Sequence, residues 1–203
     1  VISLLAWNEV SDDALAALRP VAKKIVGELT DALTDPERDF AIRRRVARVM
    51  LECDSQRGVD GLLMGLEDRR FEVRYQCAAA LGRILERKPS ARYDRDRIIA
   101  AVLAELNVDR LGWQSRRLVD SDDSRQIDQL LKDRADLSLE HVFRLLSLFL
   151  EREPLKIALQ GLHTDDLQLR GTALEYLESV LPLEIRERLW PFLEDQRGRK
   201  PVP

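Results

Sequence analysis

The sequence predicts an all-α protein: a right-handed α-solenoid of about five to six antiparallel helical pairs, with one irregular insertion near 107–126. Three observations predict it. Apolar residues recur at helical spacing almost throughout, and no Asn-Gly or Asp-Gly turn lies between alternating runs. Residues 66–81 and 162–177 align without a gap at a shift of 96, pairing Phe71 with Leu167, Val73 with Leu169, Arg74 with Arg170, Cys77 with Ala173 and Leu81 with Leu177. A more diverged copy ends 31 residues earlier, where Ile42, Arg43, Val46, Ala47 and Met50 match Val73, Arg74, Cys77, Ala78 and Leu81. A shift of 96 is close to three units of about 32 residues, the spacing of stacked helical repeats. Such arrays usually present a surface that holds a partner.

Each element follows from local pattern. Residues 12–18 form a short amphipathic stretch after the run Leu4-Leu5-Ala6-Trp7. Pro20 suits the first turn of a helix reaching Thr34, with Val21, Ile25, Leu29 and Leu33 on one stripe, and Asp35-Pro36 ends it. The next helix spans about Asp39 to Cys53. Helix 56–67 carries Val59, Leu62, Leu63 and Leu66. Helix 71–87 carries Val73, Cys77, Ala80, Leu81, Ile84 and Leu85, and Pro89 stops it. Another pair starts near Asp94, with Ile98, Ile99, Val102, Leu103 and Leu106 along one face. Periodicity fails over 107–126 and returns at 127–134. Ser138 is placed to cap a strongly apolar helix through about Glu151. Helices over Pro154–Leu162 and Leu167–Leu181 follow, then a short one from Pro182 to about Glu194. One helical repeat domain over 1–195 and a loose tail over 196–203 are expected. Because the chain opens on Val-Ile-Ser, we read it as a fragment of a longer protein or a processed one, with Trp7 covering the N-terminal end of the core and Trp190 the C-terminal end.

Composition narrows the function. The net charge of −3 argues against a general nucleic-acid binder, which carries a basic excess. Two cysteines, Cys53 and Cys77, make neither a disulfide framework nor a metal cluster, and both fall on apolar stripes as buried free thiols. The apolar runs are too short to span a bilayer, and a cytoplasmic setting is expected. His141 and His163 stand 22 residues apart, and no HExxH, CxxC, GxSxG or P-loop pattern occurs. No catalytic residue, cofactor or metal is therefore expected.

The recurring helical pair resembles a HEAT repeat, on an aspartate at the inter-helix turn and an arginine about six residues later. Asp68 and Arg74 fit that pattern, and Arg170 follows Thr164 with Asp165 and Asp166 beside it. Asp35 and Arg43 have the right types with two extra residues between them. The resemblance covers about half of the chain; residues 94–137 fit poorly. More loosely, Leu4–Val10, Ala41–Val49 and Arg170–Trp190 resemble bacterial HEAT-repeat segments fused to carriers of the ADP/ATP translocase type. What these resemblances imply is a non-catalytic protein-binding or regulatory scaffold using the concave face of its second helices. The alternatives are a structural or regulatory segment of a larger, membrane-attached parent and a HEAT protein contacting nucleic acid. One enzyme class with a HEAT-like fold, the alkylpurine DNA glycosylases, uses tryptophans and an aspartate in a basic cleft; Trp113, Asp109 and Trp190 lack that pattern.

Two sets of residues follow. Asp35, Arg43, Asp68, Arg74, Asp165 and Arg170 are expected to form a structural ladder, each arginine tying the turn of a neighbouring repeat. The outward rows of the second helices are the candidate partner surface: Arg44 and Tyr75, Arg45 with Gln76 and Thr172, Arg48 with Glu175, and Arg83. Their N-terminal part is arginine-rich, so an acidic protein segment, or another domain of the parent chain, is expected to dock near Arg44, Arg45, Arg48 and Arg83. The alternative is a solvated face. Trp113, beside Gly112 and Arg116-Arg117, is a second anchor unless it folds back on the core.

Overall fold

The computed structural model describes residues 1–107 and 138–195, the side chains of residues 194 and 195 excepted. Every regular element among them is helical. The chain divides into two compact units, Val1–Ile98 and Ile99–Pro203.

The first unit opens with a 3-10 helix, Ile2–Ala6, and α1, Ser11–Leu18. Both pack on α3, and Leu5 is fully buried. Trp7 does not cover this end of the core as expected: it is 64% exposed, because the chain leaves the 3-10 helix in an extended conformation at Trp7. The helix expected from Pro20 to Thr34 is also interrupted. Arg19–Val21 is 3-10, and Lys24 N and Ile25 N donate to Val21 O and Ala22 O at 2.9 and 3.2 Å. Regular α2 starts only at Val26 and runs to Thr34.

Three helices then repeat one arrangement. These are α3, Phe40–Met50; α4, Gln56–Gly65; and α5, Phe71–Arg87. Within each hairpin α2 packs on α3 and α4 on α5; between hairpins α2 packs on α4 and α3 on α5. Asp39 starts α3 by accepting from Ala41 N at 2.6 Å, and Ser55 starts α4 by accepting from Gly58 N at 3.2 Å. Leu29, Leu33, Met50, Leu62, Leu81 and Ile84 fill the space between the helices. Burial of each such side chain contributes about 1.5–3 kcal/mol. The close approach is made at glycine. A Cβ on Gly61 would stand 2.6 Å from Thr30 Oγ1 and 3.0 Å from Met50 Cε, and one on Gly65 would overlap Cys77 Sγ.

The division between the units falls within α6, Arg95–Leu106, which is followed among described residues by a helical segment over 138–146, here α7. α7 ends earlier than the expected Glu151, in turns over 147–149, where Ser147 Oγ donates to Arg144 O at 2.7 Å. Then come α8, Arg152–Leu162; α9, Leu167–Val180; and α10, Leu183–Asp195. α8 packs on α9, and Leu155, Leu162, Leu177, Ile185, Leu189 and Leu193 are buried. Gly161 meets Ala173 as Gly65 meets Cys77: a Cβ on Gly161 would stand 3.0 Å from Ala173 Cβ. The shift of 96 therefore extends to a shared inter-helix contact. No described helix is long and apolar enough to cross a membrane.

Candidate functional site

The first unit places α3 and α5 side by side, each led by an aromatic residue at its first position, Phe40 and Phe71. A residue three or four places along a helix lies on the same face one turn away. Arg44 therefore reaches back over Phe40, its guanidinium carbon 5.5 Å from the ring centroid, and Arg74 over Phe71 at 5.8 Å. Arg70, from the turn before α5, also stacks on Phe40 at 5.3 Å and so joins the two turns. Tyr75 packs on Phe71 with ring centroids 5.8 Å apart. A stacked guanidinium keeps its N–H edges free for carboxylate while its face is held.

Beyond these turns Arg48 on α3 and Arg83 on α5 are exposed, and Arg44 and Tyr75 are half-buried. Among the described residues no ion pair forms at Arg44, Arg48, Arg70 or Arg83. Glu52, at the far end of the same face, is engaged by Arg87 at 3.8 Å. The result is a strip of positive charge about 12 Å long, from the rise of 1.5 Å per residue between Tyr75 and Arg83.

Arg45 is a correction. It is 7% exposed and donates to Leu5 O and Asn8 Oδ1, both at 2.5 Å. It holds the N-terminal segment against α3 and faces no partner. The cause is that α1 and the 3-10 helix cover the side of α3 that the sequence pattern leaves bare. Gln76 is half-buried on α5. Thr172 and Glu175 are exposed on α9 in the second unit, and Thr172 Oγ1 bonds back to Gln168 O at 3.1 Å. Trp113 lies outside the described residues.

The ladder residues do three different jobs. Arg43 bonds the Asp68 carboxylate of the following hairpin, a pair only 10% and 5% exposed. Arg74 donates to Asp68 O at 2.9 Å and Arg69 O at 3.3 Å, within its own turn. Arg170 donates to Leu193 O of α10 at 3.0 Å. Asp35 accepts from Glu37 N at 3.0 Å and lies 3.7 Å from Arg38, so it serves its own turn rather than Arg43. Asp165 is exposed, and it is Asp166 that caps α9, accepting from Gln168 N and Leu169 N at 2.8 and 3.2 Å.

Titration reflects burial more than chemistry. Burial, with the nearby Asp54 and Glu52 carboxylates, pushes the Cys53 thiol up to about 11 against some relief from Lys23. Burial also raises the Cys77 thiol far above the ordinary range, with Asp68 adding to it. A hydrogen bond from Lys23 at 3.0 Å holds Asp54 below the usual carboxylate range. In the second unit Glu105 Oε1 and His141 Nε2 lie 3.4 Å apart, both buried, a pair that α6 and α7 bring together. Among the described residues no group of three or more His, Cys, Asp or Glu is placed to hold a metal ion.

The sequence reading missed Phe40, Arg70 and Phe71. The signal was present: the two aromatics stand 31 residues apart at the repeat offset, each with an arginine three or four residues on. No family model matches this chain, and no curated protein or solved structure matches it.

Proposed function

We propose that the chain is a non-catalytic protein-binding module, a HEAT-like array of helical pairs that holds an acidic segment of a partner protein along the second helices α3 and α5. The observation that carries this reading is the set of four arginines on one face, Arg44, Arg48, Arg70 and Arg83, with no ion pair among the described residues. Two of them are held against Phe40, so less rotamer freedom is lost when a carboxylate docks. The pairwise packing α2 on α4 and α3 on α5 supports the repeat architecture.

The test is selection of peptides from a random display library against the chain, with the R44E/R48E/R83E variant as counter-target. The wild-type chain is expected to enrich peptides rich in Asp and Glu. The triple variant should lose on the order of 100-fold in affinity for them, from exposed charge pairs of up to about 1 kcal/mol each. Failure to enrich acidic peptides sinks the reading. Equal sensitivity of random-sequence duplex DNA to the same variant would replace it with a nucleic-acid surface.

A further inference from the structure

A tryptophan is pinned beside the arginine strip. The buried guanidinium of Arg45 donates to Leu5 O and Asn8 Oδ1, and Trp7 stands in the chain between those two residues. Trp7 N donates in turn to Leu4 O at 3.1 Å. Residues three apart in a 3-10 helix eclipse, so Leu4 and Trp7 share one edge. Leu5 is fully buried beside them, while Leu4 is 46% exposed and Trp7 64%. The edge is therefore apolar, open and held in place from both sides.

This edge borders the strip. At 3.6 residues per turn, Arg43 and Arg45 lie about 100° to either side of Arg44 on α3, and Arg48 lies about 40° from Arg44 on the Arg45 side. Arg43 bonds Asp68 at the turn into α5, and Arg45 bonds the N-terminal segment. The face that carries Arg44 and Arg48 thus lies between α5 on one flank and residues 5–8 on the other. Arg45 and Arg48 are one turn apart, so the segment that Arg45 holds flanks Arg48. Across this surface the chemistry changes from cationic, at Arg83, Arg44 and Arg48, to apolar at Trp7 and Leu4. Further along the chain the sign reverses, because Glu9, Asp12 and Asp13 are exposed. A uniformly acidic segment that ran on past Trp7 would be repelled there.

From this we infer that the partner segment is bipartite: an acidic stretch lies over Arg44, Arg48 and Arg83, and apolar residues at one end of it pack on Leu4 and Trp7. The inference rests on the acidic-segment reading of α3 and α5 and adds to it the chemistry of the segment's end. Tryptophan and arginine are the residues that most often dominate the energy of an interface. An indole has two rotatable bonds and a large apolar face, so little freedom is lost when a partner covers it. Salt screens the acidic part of such a contact and leaves the apolar part in place.

Fluorescence anisotropy with labelled synthetic peptides tests it. A run of alternating Asp and Glu is made with Leu-Phe-Leu, or with Ser-Gly-Ser, at either end. For the wild-type chain, the Leu-Phe-Leu peptide in its better order should bind about tenfold tighter than its Ser-Gly-Ser counterpart, the effect of one hot-spot aromatic. Raising the salt should weaken both peptides and keep their ratio. Trp7→Ala should erase the gain and leave the Ser-Gly-Ser peptide unaffected, with far-UV circular dichroism and Tm unchanged because the indole is exposed. Arg48→Ala should weaken both peptides. Leu167→Ala, at an 84% exposed leucine of the second unit, is the control for non-specific adhesion and should change neither. Equal binding of the two peptides, a gain that survives Trp7→Ala, or one lost equally to Leu167→Ala overturns the inference and leaves the acidic-segment reading standing. If neither peptide binds, that reading falls and the inference falls with it.

Discussion

Gly65→Ala should destabilise the first unit by about 1–2 kcal/mol, whereas Gly161→Ala, at the equivalent position in the second unit, should change stability little. A methyl on Gly65 would overlap Cys77 Sγ and stand 3.0 Å from Leu33 Cδ2, against about 3.5–4.0 Å for an ordinary contact. Cys77 and Leu33 are both fully buried, so neither can step aside without moving a helix. Overpacking of that kind costs about 1–3 kcal/mol, and the helical preference of alanine over glycine returns at most about 1 kcal/mol, less at the last residue of α4. At Gly161 the neighbours are Ala173 Cβ at 3.0 Å and Leu169 O at 3.3 Å, and Leu169 is itself 57% exposed. A shift of a few tenths of an ångström relieves the contact there, and the helical preference offsets what remains. Urea unfolding followed by circular dichroism measures both. Cys77→Ala supplies the internal check, because it removes the sulfur and recreates the pairing already present at Gly161 and Ala173. In the double-mutant cycle, Gly65→Ala and Cys77→Ala should couple favourably by about 1 kcal/mol or more. A neutral Gly65→Ala, equal effects at the two glycines, or no coupling to Cys77 would refute the reasoning.

Arg45→Met keeps the aliphatic bulk but removes hydrogen bonds to Leu5 O and Asn8 Oδ1, each from a charged donor and worth about 1.5–3 kcal/mol. Hydrogen exchange should speed up in residues 2–18 while α4 and α5 keep their protection; unchanged protection at the N-terminal segment would show that Arg45 does not anchor it. The thiols give a pH prediction. Both have folded-state values raised above the unfolded ones, so their contribution is complete below the ordinary thiol value of 9.0 and is lost as pH rises through about 11 for Cys53. The wild-type chain should therefore lose more stability than a C53A/C77A variant between those values, and near pH 8 neither thiol should react with a disulfide reagent until the chain is unfolded. Labelling of Cys77 in the folded chain would contradict its burial.

The helices were legible because each apolar stripe had one period and each turn carried its own punctuation, as Asp39 and Asp166 illustrate at the starts of α3 and α9. The break at residues 22–25 was not, because Val21, Ile25, Leu29 and Leu33 keep helical spacing whether or not the backbone holds it. On the candidate surface, matched positions correctly separated Arg48 and Arg83 from the apolar stripe. They failed for Arg45 because periodicity reports a residue's angle on its own helix and not what a distant segment lays over it. The pair Glu105 and His141 was hidden for the same reason: the two residues stand 36 apart, and only the packing of α6 and α7 joins them.

Three of the ten residues of α4 are buried glycines, Gly58, Gly61 and Gly65. Each weakens a helix by about 0.8–1 kcal/mol relative to alanine, so the isolated segment has no tendency to be helical. It becomes a helix only in the slot between α2 and α5. The first unit therefore cannot fold hairpin by hairpin, as an array of self-sufficient repeats would. α2, α4 and α5 must arrive together, and truncating either neighbour melts the helix between them.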